Sequence, residues 1–509
     1  MFSRGLKLFV CFIDYEKAHD LLDRSCLFYK LMKEGLSSKC INIFKDLYSK
    51  MKLTVCVDEE NRKFASNVGL LQGEINSPLL FSIFVNDLEQ CLQDNTMGIN
   101  IVNVLIKILM FADDMAIFST TASGLQHGLN NLSNYCKKWG LTVNIIKTKI
   151  VVFRKGGRPA KDEVWTFNNH IIEVVSCFKY VGCVFSNSGS FKHCVNSLIC
   201  SARKALFSLK RILNQKTELL PKIQIDLFNS MVGQILHYGC EVWGLRKADP
   251  IEKFHLAFLK SVLGVKSSTT NCYIYGELGV FPLLIKRQIR VVKYWLKIIR
   301  SLNIKGNYVQ LVYKELLKVN RENPDQITWV SGTRKLLESC SFGYVWQNQF
   351  VENENRFISM FEKRLCDIYR QTWLSEINLT SEGRLYKHIK MNLKFESYLN
   401  MNNKAFRIAI TKIRLSSHLF MIERGRWGAN SLERNNRLCQ ICKCIEDEYH
   451  VIVECPIFNN ERTGLLNKSL QQFPNIYNFY EYLKSEKIDE QKKLGLLCLK
   501  IQIEYRKML

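Results

Sequence analysis

At 509 residues the chain has room for about three domains of roughly 150 residues each. Its 72 lysines and arginines against 47 acidic residues leave a formal charge of +25, which attracts polyanions over a range set by salt and puts nucleic acid first among partners. An anionic membrane surface is the other partner such a charge could meet, but neither end carries a clear basic amphipathic anchor or lipid signal.

Arg4 and Lys7 precede an apolar run, Leu8 to Ile13, which Asp14 ends. The run is too short for a signal peptide and reads as a buried strand. The longest apolar stretch, Ile99 to Phe111, is interrupted by Asn100, Asn103 and Lys107, so no segment is expected to cross about 30 Å of hydrocarbon and a soluble protein is expected. Nineteen cysteines would build a disulfide framework in a short secreted chain. Here they mostly stand singly in apolar contexts, as at Cys11, Cys26, Cys91 and Cys183, where a thiol packs as a small hydrophobe in a reducing compartment.

Strand-like and helix-like runs alternate through the first 155 residues, with helical patterns from Leu21 to about Lys50 and again after Pro78. This predicts a mixed α/β domain. Ile108 to Phe111 and Met115 to Phe118 flank Asp113 and Asp114 as two short strands joined by a tight turn. The polar stretch from Arg154 to Pro159 marks a domain edge or an exposed hairpin. From about Ser190 to Asn303 apolar residues recur at helical spacing, and Pro221, Pro250 and Pro282 fall near helix starts, which predicts a helical bundle. Within it Lys286, Arg290, Lys293, Lys297 and Arg300 stand at steps of 4, 3, 4 and 3, opposite Ile289, Val292, Leu296 and Ile299. The stripe can lie along a phosphate backbone or be the solvated face of an ordinary amphipathic helix. Residues 304 to 430 are again mainly helical and carry no interpretable motif.

Near the C-terminus Cys439, Cys442, His450 and Cys455 form a Cys-x2-Cys-x7-His-x4-Cys array, a ligand set that suits a tetrahedral, structural Zn²⁺. The alternative is a reduced thiol cluster beside a surface histidine, with Cys444 competing for one position. Just upstream, Arg424, Arg426, Trp427, Arg434 and Arg437 mix guanidinium groups with an aromatic plane, as single-stranded nucleic-acid contacts often do.

Asp14 ends an apolar strand, and Asp113 and Asp114 sit in a turn about a hundred residues later. A fold that brings the three together creates a repulsive cluster that hard divalent cations such as Mg²⁺ relieve. Two ions held this way activate a primer 3′-hydroxyl and stabilise leaving pyrophosphate during in-line attack. Because side chains alternate along a strand, Asp113 and Asp114 point differently, and Asp113 is expected to coordinate more directly. An Asp-Asp turn taken alone is equally a local hydrogen-bonding device.

The order of neighbouring motifs resembles the reverse transcriptases of non-LTR (LINE-like) retrotransposons. FIDYEKAHD at 12–20 is similar to their first carboxylate motif, GLLQGEINSPLLFSIFVNDL at 69–88 to their second, and FADD at 111–114 to their third. WGLTVNIIKTK at 139–149 resembles the motif that follows, and FKYVGCVFS at 178–186 the strand leading into the thumb. The resemblance is strong over about residues 6–190, looser through the helical region, and returns at the cysteine–histidine array. It implies an α+β fold: a right-hand polymerase palm with an antiparallel sheet at 1–155, a connection strand and helical thumb at 156–303, a helical linker region at 304–430, and a small zinc knuckle with C-terminal helices at 431–509.

The implied activity is RNA-directed DNA polymerisation with two Mg²⁺ ions, an RNA template, a DNA primer or target and deoxynucleoside triphosphates, inside the cell and in its nucleus. Carried over position by position, the resemblance makes Asp14 and Asp113 the principal metal ligands with Asp114 beside them. Gln72 and Gly73 then lie where template and incoming nucleotide meet, and a residue without a side chain lets the backbone approach a base pair. Pro78 starts the following helix. Lys147 is a candidate for neutralising or protonating the leaving pyrophosphate, or is an exposed lysine; Lys149 follows with no defined role. Lys286, Arg290, Lys293 and Lys297 would face the duplex, and Arg424, Arg426 and Trp427 single-stranded RNA.

Two departures stand out. Where the family carries an aromatic that excludes the ribose 2′-hydroxyl, this chain has His19, so weaker rejection of ribonucleotides is expected than for His19→Phe. The chain also opens almost at the first carboxylate strand, without the fingers segments whose basic residues grip the triphosphate or an upstream endonuclease, which would reduce catalysis. The alternative reading is therefore a catalytically impaired, nucleic-acid-binding relic or co-opted fragment. A zinc-organised scaffold for other proteins would account for the C-terminus and leave the ordered palm motifs without a reason.

Overall fold

The computed structural model describes residues 5–57, 60–71, 73–92, 97–157, 160, 163–215, 219–246, 248–301, 307–380, 383–427 and 431–509, with backbone alone at 55–57, 60–62 and 213–215. Gln72, the Arg158-Pro159 step and the boundaries drawn at 303–304 and 430 lie outside the described residues. The chain divides into two compact units, residues 1–194 with 304–328 and residues 195–303 with 329–509.

The first unit is mixed α/β. Its strands are β1 (Leu8–Ile13), β2 (Lys52–Val57), β3 (Glu60–Ala65), β4 (Ile99–Ile101), β5 (Val104–Ile106), β6 (Ile108–Phe111), β7 (Asp114–Ser119), β8 (Lys149–Phe153), β9 (Trp165–Phe167), β10 (His170–Val174), β11 (Cys177–Tyr180) and β12 (Cys183–Ser186). Six of them form one sheet in the order β6-β7-β1-β8-β10-β9. The expected antiparallel sheet is realised except at one pair: β8 and β10 run parallel, with Lys149 opposite Glu173 and Ile150 opposite Val174. After β8 the chain makes the antiparallel β9–β10 hairpin, and the second arm of that hairpin returns in the direction of β8.

The period of two along β1 explains why it sits near the centre. Phe9, Cys11 and Ile13 enter one core with Leu27, Leu31, Phe81, Phe84, Leu125 and Leu129 from three helices. Val10 and Phe12 enter a second core with Ala116 and Val151, against which Phe178 and Tyr180 of the β11–β12 hairpin pack. Phe12 stacks on Phe178 with ring centroids 4.6 Å apart. A strand buried on both faces reads as a continuous apolar run, as Leu8–Ile13 does.

Three local expectations change. The helical pattern from Leu21 to Lys50 is two helices, Arg24–Lys33 and Ser38–Ser49. Ser37 caps the second by accepting from the Cys40 amide, and a serine cap competes with helix continuation. The strand anticipated at 178–186 is a hairpin, because Val181 and Gly182 both take positive φ (45° and 78°), the turn whose twist matches paired strands. Cys91 is exposed at the end of helix Leu88–Cys91, since Leu88 and Leu92 turn inward in its place; Cys11 is buried, and Cys26 and Cys183 are half-buried.

In the second unit the described elements are helices joined by loops, and prolines stand at helix starts, with Pro221, Pro250 and Pro282 at or beside the first turn. A buried charge network joins four of its segments. Arg414 Nε donates to Glu277 Oε1 at 2.6 Å, Arg414 Nη2 reaches Glu396 Oε2 at 2.9 Å, and Lys390 pairs with Glu396. Tyr398 donates its hydroxyl to Glu277 at 2.7 Å. Two cations and two anions balance, so charges that would be costly alone are mutually satisfied. Burial acts to raise the Glu277 carboxyl, but the charges of Arg414 and Lys390 outweigh it and hold it below the ordinary range. Among the described residues no helix is long and apolar enough to cross a membrane.

Glu277→Ala leaves Arg414 buried with one carboxylate fewer and is expected to lower unfolding free energy by about 3–5 kcal/mol, read from the urea midpoint. The double change with Arg414→Met should recover part of that loss. A depressed carboxylate stabilises above its unfolded pKa, so the native chain should lose this contribution as pH falls below about 4.3, and Glu277→Ala should show a flatter acid limb.

Candidate active site and metal cluster

The strand register gathers the carboxylates. β1 pairs β7 with Ile13 opposite Met115, so one step further Asp14 stands opposite Asp114. The β6–β7 connection is a two-residue turn, Ala112-Asp113, closed by Phe111 opposite Asp114. Ala112 takes φ of 54°, a left-handed conformation that costs a residue with a Cβ about a kcal/mol or more and that the flanking ladder holds in place. Burial first, then the charges of Asp113 and Asp14, push the Asp114 carboxyl above its usual range. All three acids are thus within electrostatic reach of one another.

Asp14 Oδ2 is a buried oxygen that accepts no hydrogen bond, although Lys147 Nζ lies 3.5 Å away as an ion pair without hydrogen-bond geometry. The three carboxylates act on one another electrostatically, but among the described residues only the cysteine–histidine group has its ligand atoms drawn together as a metal site would need. Lys147 is carried to this place by backbone: the Asn144 amide donates to the Asp14 carbonyl at 2.8 Å, the Glu16 amide to Thr142 at 2.8 Å, and the Asp14 amide to the Thr148 hydroxyl at 3.2 Å. The Asn144 side chain accepts from the Lys147 amide at 3.1 Å and closes the turn. Lys149 points elsewhere and pairs with Glu173 at 2.6 Å.

His19 is half-buried, with its ring 4.9 Å from that of Phe81, which also meets Tyr15 next to Asp14. The loop before Gly73 clamps onto this segment: Leu70 donates its amide to the His19 carbonyl at 2.6 Å, and a Cβ on Gly69 would sit 2.3 Å from the Asp20 carbonyl oxygen. Gly73 itself has φ of 87° and open space where a side chain would be.

Sequence reasoning missed Arg24, whose guanidinium donates to the carbonyls of Ser66, Val68 and Gly69 at 2.6, 3.0 and 2.8 Å and so ties that loop down. Its partners are loop carbonyls some forty residues on, so no spacing rule marks it. Lys30 was missed likewise: its buried ammonium pairs with Asp87 at 2.7 Å and lies over the Trp139 ring at 3.9 Å.

In the second unit the basic stripe is partly committed. Arg290 donates to Gln234 and the His237 carbonyl, Lys286 to Asn229, and Arg300 pairs with Glu354, while Lys293 and Lys297 are exposed. Ile289, Val292 and Leu296 are buried as the pattern predicts and Ile299 half-buried; Val291, Trp295 and Ile298 widen the buried face. Arg426 pairs with Glu423 at 3.1 Å, Arg424 is exposed, and Trp427 is 61% exposed.

The ligand atoms of Cys439, Cys442, His450 and Cys455 all lie within 4.8 Å of one another. Cys442 Sγ and Cys455 Sγ are 3.9 Å apart, close to the ~3.8 Å edge of a tetrahedron with ~2.3 Å metal–sulfur bonds. Burial pushes the Cys455 thiol up to about 12, so a thiolate there calls for a cation beside it. The Cys439 amide donates to the Cys444 carbonyl at 2.8 Å and folds the loop back. Cys444 Sγ lies 3.2 Å from His450 Nδ1 but outside the four-ligand cluster. Around it Glu446 accepts from the Met421 amide and the Tyr505 hydroxyl, Glu448 from His418 and Ser416, and Asp447 from the His450 amide.

Residues 2–185 match the family model for reverse transcriptase (RNA-dependent DNA polymerase). Similar proteins include the RNA-directed DNA polymerase from mobile element jockey of Drosophila funebris, 25% identical over 254 residues, 48% of this chain and 27% of that protein. The Pol polyprotein of the type-1 retrotransposable element R2 of Nasonia vitripennis is 27% identical over 199 residues, 37% of this chain and 19% of that protein. The chain therefore spans about a quarter or less of the length of these relatives. A solved telomerase from Candida albicans covers 68% of this chain and 51% of its own at 14% identity and a TM-score of 0.30, a level that carries no argument for the fold.

Folded Asp114 holds its proton more tightly than the unfolded chain does, so its ionisation costs stability as pH rises. In EDTA at neutral pH Asp114→Asn is expected to melt higher than the native chain by about 1–2 °C, with the difference vanishing below about pH 4. Added Mg²⁺ should raise the native midpoint more than that of the variant.

Proposed function

We propose that the chain is an RNA-directed DNA polymerase that extends a primer 3′-hydroxyl along an RNA template, a reading supported by the match of residues 2–185 to the reverse transcriptase family model and by the similarity to the jockey and R2 proteins. The observation that carries this reading is the strand register that sets Asp14 against Asp114, with Asp113 and Asp14 both acting on the Asp114 carboxyl and an Asp14 oxygen that accepts no hydrogen bond. In this reading 1–155 is the palm, 156–303 the connection and thumb, 304–430 a linker, and 431–509 a zinc knuckle with its helices. The partners are RNA, a DNA primer or target and deoxynucleoside triphosphates, and the place of action is the nucleus.

When bound, two Mg²⁺ ions at Asp14 and Asp113 supply the charge that activates the 3′-hydroxyl and stabilises leaving pyrophosphate. Asp114 adds negative charge that favours the cations and disfavours their loss. Lys147, fixed by the Asn144 turn, offers a positive charge and a proton beside Asp14. Gly73 leaves its backbone open to a base pair, with Gln72 beside it in sequence, and His19 lines the neighbouring wall with a smaller ring than an aromatic sugar gate. Lys293 and Lys297, exposed on their helix, offer charge to a duplex backbone together with Lys286 and Arg290. Cys439, Cys442, His450 and Cys455 hold a structural Zn²⁺ that orders the segment bearing Arg424, Arg426 and Trp427 for single-stranded RNA.

Primer extension on poly-rA with dTTP and Mg²⁺ should be seen with the native chain and fall by about a hundredfold or more in Asp113→Ala, several kcal/mol of transition-state stabilisation. Equal extension by both proteins, or none by either while RNA is still bound, overturns the assignment. The purified chain should carry one zinc per molecule by metal analysis, and Cys439→Ser should lose it together with part of its RNA affinity; full affinity without zinc would refute the structural role.

A further inference from the structure

The second unit contains a cavity of about 320 Å³ that belongs to neither the carboxylate cluster nor the cysteine–histidine cluster. Three helix ends deliver cations to it: Lys266 just past Asp249–Leu263, Lys412 in the last turn of Lys404–Arg414, and Arg506 in the last turn of Ile488–Lys507. Ser417, His418 and Gln502 add further polar groups to the lining, and among the described lining residues there is no carboxylate. Gly264 allows the approach of the helices, since a Cβ there would lie 2.9 Å from the Ile408 side chain.

Two of these three cations are not consumed by the fold. The Lys266 ammonium is held at the wall by the His418 carbonyl at 2.7 Å, and the acid that acts on it is Glu423. Lys412 and Arg506 have no hydrogen-bond or ion-pair partner among the described residues, and the neighbouring Glu504 is taken by Lys507 at 2.7 Å. Burial, then Arg506 and Lys266, push the Lys412 ammonium below its usual range. Each helix C-terminus contributes about half a negative charge, so three of them offset about half of the three positive charges. A surplus of positive charge in a half-enclosed space is relieved by an anion.

The walls define which anion. Phe420 and Tyr505 are buried, and the Tyr505 hydroxyl is committed to Glu446, so no ring face is free to stack a base. The three cations suit a phosphate group, and the volume of about 320 Å³ leaves room beside it for part of the chain that bears it. We propose that it seats a backbone phosphate of single-stranded nucleic acid, whose flexible chain can bend one phosphate inward as a stiff duplex cannot. The assignment rests on the reading that the chain works on nucleic acid.

The test uses the full chain carrying Asp113→Ala, labelled single-stranded RNA and fluorescence anisotropy across a salt series. Lys412→Gln with Arg506→Gln should weaken binding about tenfold and reduce the slope of log K against log salt by about 0.7, the amount for one phosphate contact on a single strand. Lys492→Gln with Lys493→Gln, the same charge change on exposed residues of the same helix, should alter neither by a comparable amount. Lys412→Arg should keep both affinity and slope. Equal loss in the two double variants, an unchanged slope, or loss in Lys412→Arg overturns the site. Tripolyphosphate competition lost in the double variant while RNA affinity stays intact would assign the cavity to free polyphosphate and overturn the strand assignment. Native chain that binds with the expected slope yet fails to extend a primer would refute the polymerase reading and leave this one standing.

Discussion

The register of β1 between β7 and β8 is the constraint on which the first unit is built. It sets Cys11 and Ile13 against the helices, Val10 and Phe12 against the β11–β12 hairpin, and Asp14 level with Asp114. A slip of one residue would turn every β1 side chain to the opposite face and carry Asp14 away from its partner. Two apolar cores therefore oppose the repulsion among the three carboxylates. The same backbone ladder extends past the strand end through Tyr15 and Val143 and brings Lys147 with it.

The second unit handles charge differently. Several of its acids are turned inward: Glu277 and Glu396 serve Arg414 and Lys390, Glu252 caps the amides of Leu283 and Leu284 and holds Arg287, and Glu446 and Glu448 lace the cysteine–histidine loop to its neighbours. Where these acids meet buried cations the pairs are neutral, so the net charge of +25 is carried by the remaining residues, with Lys293, Lys297 and Arg506 among the exposed ones. Attraction to polyanions follows from where the carboxylates go as much as from how many there are.

The buried polar residues were the hardest to read in the amino-acid order. Arg24, Lys30, Glu277 and Arg414 look like ordinary surface charges, because charged residues are almost never fully buried without partners and the partners are far away in sequence. Arg290 and Lys286 went the other way, since a stripe that is basic in projection proved to be bonded in part to Gln234, His237 and Asn229. Periodicity reports which residues share a face; whether that face meets solvent or protein is settled by packing.

What the order of residues established was local and chemical: the apolar strand ending in Asp14, the turn bearing Asp113 and Asp114, the prolines at helix starts, and the spacing of Cys439, Cys442, His450 and Cys455, all encoded within a few residues of one another. Packing added what no short window contains. It opposed Asp14 to Asp114 across a ladder, made β8 and β10 parallel, buried the Glu277–Arg414 network, and drew Lys266, Lys412 and Arg506 to one cavity. Apart from the β8–β10 pair, those arrangements join residues about one hundred or more positions apart, and such contacts arise from burial and pairing of whole elements, which carry no mark at the individual position.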